Sequence, residues 1–532
     1  MALVYMKNKK YGTTYVYEST NYWSKEKQQS RSKRVCIGKL NDKGQLVPSK
    51  RLTNPSLIRP AIRGPVPVTE AKHHFYGAVY LFDAIGEKLK VTEDLKRCFP
   101  DSYKQILSIA YYLILEDRNA LSRFPKWEKT NKHPYGKSIS SQRSSELFSA
   151  ITEGSKEQFF RLQGKHRSEN EYWAYDTTSI SSYSEKLTQV RYGNNKDHDP
   201  LAQINLALLF GQESNLPFYY RKLPGNITDV KTLKNLLADM DYLGFNKVKL
   251  VMDRGFYSEA NVNALYQNHL KFLLATKVSL NYVQKELDVV RDTIRTRENY
   301  NSTYQLHTHT AIINWDYSQD RPYKGDTIKE KRRMYLHIYF NGEKALEHQH
   351  RFNVMLDGLE DELTSGKRKP ENEKKYQQFF DITTTPVRGI KVCVKQAAVN
   401  KAEKDYGFFA LISNEIKDPI KALEIYRNKD LVEKAFGNLK ERLNMRRTTV
   451  SSDSALEGKL FVQFIALIYL SYIKKRMSDQ GLFRTYTMQQ LLDELDVIEC
   501  FEQPGCAMRI GEMTKKQEAI YRKLDVVPPT SL

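Results

Sequence analysis

Between residues 174 and 277 short apolar runs alternate with amphipathic stretches, and this pattern limits the fold more than any other feature of the chain. AYDTTSI (174–180), QINLALLF (203–210) and LPFYYRKL (216–223) have the length and the β-branched and aromatic content of strands. TDVKTLKNLLADMDYL follows with apolar residues at helical spacing behind a Thr228 cap. Next come the nearly continuous apolar strand KVKLVMDRG (247–255), the helix SEANVNALYQNH and the strand KFLLATK (271–277). This order predicts an α/β fold, a mixed sheet flanked by helices. The alternation stops at 281 and resumes with YGFFALIS (406–413), so 281–405 reads as an inserted α+β subdomain with strand pieces MYLHIYFN and GIKVCVKQ.

At roughly 150 residues per domain, 532 residues exclude a single small module. Residues 1–70 hold 14 Lys/Arg against 4 Asp/Glu, and TTYVYES and KRVCIGKL predict a basic β-rich hairpin module there. Pro60, Gly64, Pro65 and Pro67 mark a linker. A helical DNA-binding domain is expected over 71–165, the first part of the sheet core over 166–280, its second part over 406–480, and a helical tail over 481–532. The apolar run Leu460 to Ile473 falls short of the roughly 20 residues that span a bilayer, so it reads as a core helix and no membrane is expected. Five cysteines without a C-x-x-C pair, and an N-terminus without a signal-peptide pattern, point to a reducing cytoplasm.

The net charge of +21 calls for a polyanionic partner. Against that background, two carboxylates stand where the sheet interior should be apolar: Asp176 ends WAYD, and Asp253 ends KLVMD. Ligands of open α/β sheets bind outside the carboxyl ends of strands. A turn or helix cap is the plain alternative for each acid, but the helix after Asp253 has its own cap in Ser258. A third acid lies on IKALEIYRNKDLVEKAFGNLKERLNMRR. On a straight helix Tyr426, Lys429, Glu433 and Lys440 fall within an arc of about 60°, beside an apolar stripe of Ile425, Val432, Phe436, Leu439 and Leu443. A solvated Lys/Glu face is the bland reading of that stripe. Three convergent carboxylates would repel one another unless a cation neutralised them, and the oxygen ligands suit two Mg²⁺ (or Mn²⁺) ions acting on a phosphodiester.

These residues, in this order, resemble bacterial insertion-sequence transposases of the DDE class that carry a Tyr-Arg-Glu-Lys (YREK) signature on an RNase H-like core. The spacing of Tyr426, Lys429, Glu433 and Lys440 matches the signature, with Lys429 in place of Arg. The resemblance implies that Asp176, Asp253 and Glu433 are the catalytic, metal-binding acids and that Tyr426, Lys429 and Lys440 hold phosphates. It further implies an endonuclease and strand transferase that moves a mobile element by cut-and-paste, acting on its terminal inverted repeats. A homodimer on double-stranded DNA, in the bacterial nucleoid, is part of the same expectation. Arg254, Arg442, Arg446 and Arg447, together with KQQSRSKR (27–34), are phosphate-contact candidates. Trp315 could stack on an extruded base, with core packing as the alternative. The close histidine pairs lack further ligands for zinc, and LHTHT reads as an exposed β face. A silent DNA-binding regulator and an RNase H-like nuclease without strand transfer are the competing functions.

Overall fold

A computed structural model describes residues 2–24, 28–49, 72–116, 120–166, 170–245, 247–321, 325–385 and 389–530. The expected linker at Pro60 to Pro67 and Lys27 of the basic run lie outside these residues. The chain divides into two compact units, 1–73 with 500–509 and 74–499 with 510–532.

In the first unit β1 (Ala2–Lys7), β2 (Thr14–Ser24), β3 (Gln29–Leu40) and β4 (Leu46–Pro48) form an antiparallel sheet in sequential order. The expected hairpin is thus its central pair. Val16 is buried and Tyr5 exposed, while Tyr22 and Trp23 are exposed on β2 opposite Arg31 and Ser30 of β3.

In the second unit, after β5 (Lys72–Phe75), a helical region runs from α1 (Gly77–Lys88) through α2 (Val91–Cys98), α3 (Tyr103–Leu115), α4 (Phe124–Trp127) and α5 (Ser141–Ala150) to α6 (Glu153–Lys165). The sheet core then follows. β6 (Tyr172–Ser182), β7 (Gln203–Gly211) and β8 (Pro217–Pro224) are antiparallel neighbours. α7 (Asp229–Leu243) leads to β9 (Lys249–Met252), and α8 (Glu259–Gln267) leads to β10 (Lys271–Thr276). β9 pairs in parallel with both β6 and β10, giving the spatial order β8-β7-β6-β9-β10. This is the expected mixed sheet flanked by helices. Every residue of β7 is buried, which explains why 206–210 is a continuous apolar run rather than an alternation, while the buried Gln203 and Asn205 donate to the Gly225 carbonyl.

The inserted stretch has two fates. After α9 (Asn281–Val290) and the short β11 (Tyr300–Asn301), β12 (Leu306–Arg321) and β13 (Asp326–Phe340) make a long hairpin that extends the central sheet. α10 (Gly342–Thr364), α11 (Glu373–Phe379), β14 (Phe380–Thr385), β15 (Gly389–Val394) and α12 (Gln396–Glu403) instead enclose a core of their own around Phe352, Leu356, Tyr376, Phe379 and Phe380. β16 (Phe408–Ser413) returns between β10 and β13.

The predicted single helix from Pro419 to Arg447 is broken into α13 (Pro419–Arg427), α14 (Asp430–Gly437) and a π turn over Asn438–Arg442. β17 (Arg447–Thr448) then pairs with β6. α15 (Asp453–Asp479) is long and apolar enough to cross a membrane, but 89% of its apolar window is buried in protein, so it is the expected core helix. The tail forms α16 (Met488–Asp496) and α17 (Lys515–Lys523), each opened by a capping box, Thr487 with Gln490 and Thr514 with Gln517.

Candidate active site

The parallel register of β6 and β9 brings the two aspartates together. Tyr175 faces Met252, the last residue of β9, so the next step along each strand is Asp176 on one and Asp253 on the other. Adjacent strands lie about 4.8 Å apart, so these carboxylates share one edge of the sheet. Asp176 does not end its strand as expected, because β6 continues to Ser182 and is held there by β7 and β17. Asp253 does end β9. Its Oδ1 accepts from the Arg254 amide at 2.7 Å, opening a short 3-10 turn, while Ser258 caps α8 through the Asn261 amide as expected. Thr228 occupies the cap position of α7 without a side-chain bond, a departure from its expected capping role.

The broken helix supplies the rest. Tyr426, near the end of α13, donates its hydroxyl to Asp253 Oδ1 at 2.7 Å. Lys429 stands in the gap between α13 and α14, is 5% exposed, and donates to Glu433 Oε1 at 2.7 Å. Burial opposes its charge, but the Glu433 bond and the fields of Asp176, Asp253 and Glu433 raise its pKa above the usual lysine value. One buried ammonium therefore feels all three acids. Burial also acts on Asp253, yet the Tyr426 and Arg254 hydrogen bonds and the Lys429 and Arg254 charges hold its carboxyl below the ordinary range. For Asp176 burial prevails and the pKa is raised, despite Lys196, the Thr177 amide and Lys429. Burial and Asp253 together push the Tyr426 hydroxyl far upward, so it remains a donor.

Lys440 departs from the expected stripe. The π turn re-aims it, and it lies buried with its Nζ 2.6 Å from Asp197 Oδ2. Arg442 packs inward, donating to the Ile114 carbonyl at 3.2 Å and to Gln489 at 2.5 Å, which removes it from the phosphate-contact set. Arg446 and Arg447 are exposed and paired with Glu441 and Asp199. Trp315 is 7% exposed, donates to Asn263 at 2.8 Å and meets Tyr282 edge-on, so its ring belongs to the core rather than to a base-stacking surface. His307 and His309 are half-buried on β12, not the open face expected of LHTHT.

Two residues at the site escaped the sequence reading. Lys196 lies 3.5 Å from Asp176 Oδ1 and 3.3 Å from Asp229 Oδ2, and Asp229 accepts from Thr177 Oγ1 at 2.5 Å. Asp229 in the first turn of an amphipathic helix reads as an ordinary helix-start acid, and NNKDHDP reads as a polar turn. Neither carries a signal without the fold.

Beside Asp253 and Tyr426 a groove of about 860 Å³ opens along the strand ends, with Arg254, Lys277, Lys344 and Arg427 in its lining. Among the described residues no three His, Cys, Asp or Glu side chains already stand as a ligand set. The acids fit a divalent cation in another respect: they are hard oxygen donors that already face a single buried positive charge.

Among solved structures the chain is similar to a piggyBac transposase synaptic complex with hairpin DNA, studied by cryo-electron microscopy. Identity is 12% and the TM-score 0.33, over 84% of this chain and 74% of that one. No curated protein matches it. Residues 167–469, more than half of the chain and the whole span from β6 to the middle of α15, match the family of transposase DDE domains. The chain belongs to that family of transposases.

Proposed function

We propose that the chain is a metal-dependent DNA transposase that binds the terminal inverted repeats of an insertion sequence, as a homodimer on double-stranded DNA, and catalyses strand cleavage and strand transfer. The observation that supports this reading is the adjacency of Asp176 and Asp253 across the parallel pair β6 and β9, with buried Lys429, bonded to Glu433 of α14, in the field of both. Asp176, Asp253 and Glu433 are the ligands in this reading. Two Mg²⁺ (or Mn²⁺) ions bound there would activate the attacking oxygen and stabilise the leaving oxygen of an in-line displacement.

The chain's own groups do the rest. Tyr426 and the Arg254 amide keep Asp253 oriented and ionised. Lys429 offsets part of the charge of the acids and would be available to phosphate where a bound cation took over that role. The net charge of +21 and the basic lining of the groove support a polyanionic substrate. Arg254, Arg446 and Arg447 are the exposed candidates for phosphate contacts, whereas Lys440 is buried against Asp197. All five cysteines are free, which agrees with action in the bacterial cytoplasm at the nucleoid.

The test is Mg²⁺-dependent cleavage of linear DNA carrying the sequences that flank the reading frame. Wild type should cut at the element ends and join the 3′ end to a second DNA, and Asp253→Ala should do neither. Equal activity in both proteins would overturn the assignment, and cutting without joining would make the chain a nuclease.

A further inference from the structure

Lys429 beside the acids and Lys440 beside Asp197 are both committed. Lys429 and Lys440 have side chains 6% and 8% exposed and sit at 2.7 and 2.6 Å from one carboxylate each. Lys196 differs, with a side chain 37% exposed. Its Nζ donates to the Thr177 carbonyl at 2.7 Å and to Thr177 Oγ1 at 2.8 Å. An ammonium has three protons. The third faces the gap between Asp176 and Asp229, at 3.5 and 3.3 Å, longer than a good hydrogen bond to either. The ammonium is thus ion-paired beside Asp176 while more than a third of its side chain stays open to solvent.

The placement is built in at several points. The loop carrying Lys196 is tied to the strand of Asp176: the Lys196 amide donates to Ser179 Oγ at 3.2 Å, and Asn195 Nδ2 donates to Ser181 Oγ at 3.2 Å. Asp229 is fixed by Thr177 Oγ1 and by the first turn of α7. It also lies against the turn that follows Asp253, where a Cβ on Gly255 would come within 3.2 Å of Asp229 Oδ2. A side chain at 255 would press on the acid that holds Lys196. The glycine after Asp253–Arg254 therefore has a packing reason to be there.

Resting on the proposed function, we infer that Lys196 is a further catalytic residue of this site, contacting a non-bridging oxygen of the phosphodiester brought to Asp176, and that Asp229 is its positioning residue. The ammonium supplies positive charge beside Asp176, where the transition state gathers negative charge. Fixed donors of this kind act without reorganisation at the moment of reaction. Asp229 keeps the long side chain from wandering into solvent and touches no substrate itself.

The experiment compares wild type, Lys196→Gln, Lys196→Arg and Asp229→Asn on duplexes carrying the flanking DNA. The scissile linkage is either an ordinary phosphodiester or one of the two neutral methylphosphonate diastereomers. On the phosphodiester, Lys196→Gln should cut about 100-fold more slowly, and Asp229→Asn about tenfold, with Lys196→Arg between them. On the diastereomer that replaces the oxygen facing Lys196, the ratio of wild type to Lys196→Gln should fall close to unity, while the other diastereomer keeps the full ratio. Melting temperature and retention of DNA in low salt should be those of wild type. The same ratio on all three linkages, or an undiminished rate for Lys196→Gln, overturns the role of Lys196 while leaving the transposase reading intact. A wild-type protein that leaves every duplex uncut overturns both.

Discussion

Asp253 and Asp83 are both enclosed carboxylates in one compact unit, and they are driven in opposite directions. At the sheet edge, burial of Asp253 is outweighed by the Tyr426 hydroxyl, the Arg254 amide and two cations, so the group is held ionised. In the helical region, burial of Asp83 on α1 is only weakly opposed by the Tyr111 hydroxyl at 3.0 Å, and its pKa is pushed up to about 6. Asp496 on α16, with Asn131 at 3.2 Å, is likewise driven by burial to about 6. The difference lies in what surrounds the acid, not in burial. Helix packing surrounds it with neutral donors and turns it into a hydrogen-bonding core residue, whereas the strand ends surround it with positive charge and keep it ready to bind a cation.

The sharpest way to break this contrast is to remove the charge at the edge. Lys429→Met should cost about 3 kcal/mol in urea unfolding, the penalty for leaving the enclosed Asp176 and Asp253 without their shared cation, with the exposed Glu433 adding little. If the acids are a cation site, Mg²⁺ should restore more stability to Lys429→Met than to wild type. Equal Mg²⁺ effects would mean that the acids do not share one cation. In the helical region the sign reverses. Asp83 has a folded pKa above its unfolded value, so its favourable contribution is complete below about 4 and is lost as pH rises toward about 6. Asp83→Asn should therefore gain roughly 2 to 3 kcal/mol at pH 7, with no gain at pH 3.5. A uniform gain at both pH values would show that packing, rather than ionisation, is what changed.

Much of this contrast could be read from sequence, and the unread part has physical causes. Each strand from 174 to 277 is announced by its own local composition, because the buried stretches 206–210 of β7 and 250–252 of β9 are wholly apolar. Asp253 ends β9 as read but Asp176 does not end β6, and it is the parallel register that sets the two side by side. The helix of Glu433 was harder. Rotating residues by 100° assumes continuity, and the break at Asn428 and Lys429 and the π turn at Asn438 to Arg442 both alter the phase. Lys429 is thereby buried among the acids, and Lys440 is carried to Asp197. Trp315 shows a different failure: aromatic residues on a hairpin look alike in sequence whether the hairpin stands free or, as here, extends a sheet and packs on α8 and α9. Lys196 and Asp229 were illegible because their meaning arises only when a turn and a helix start meet the same strand.

The two smaller effects probe how tightly the edge is organised. Tyr426→Phe should cost about 1.5 kcal/mol at pH 7, the value of a hydrogen bond to a charged acceptor. Asp253 has a lowered folded pKa, so the stability that Tyr426 confers is present above the unfolded value near 3.9 and disappears as pH falls through the folded one. A cost that persists below pH 2 would assign Tyr426 a packing role only. Lys196→Gln should cost under about 1 kcal/mol, because a side chain open to water pairs weakly with its acids. Combined with Asp229→Asn in a double-mutant cycle, it should show a coupling of about 0.5 kcal/mol, the size expected for residues sharing one network. A coupling as large as the whole Lys429→Met effect would erase the distinction between a buried, structural lysine and an exposed, available one, and would place both ammonium groups on the folding side of the molecule rather than the catalytic side.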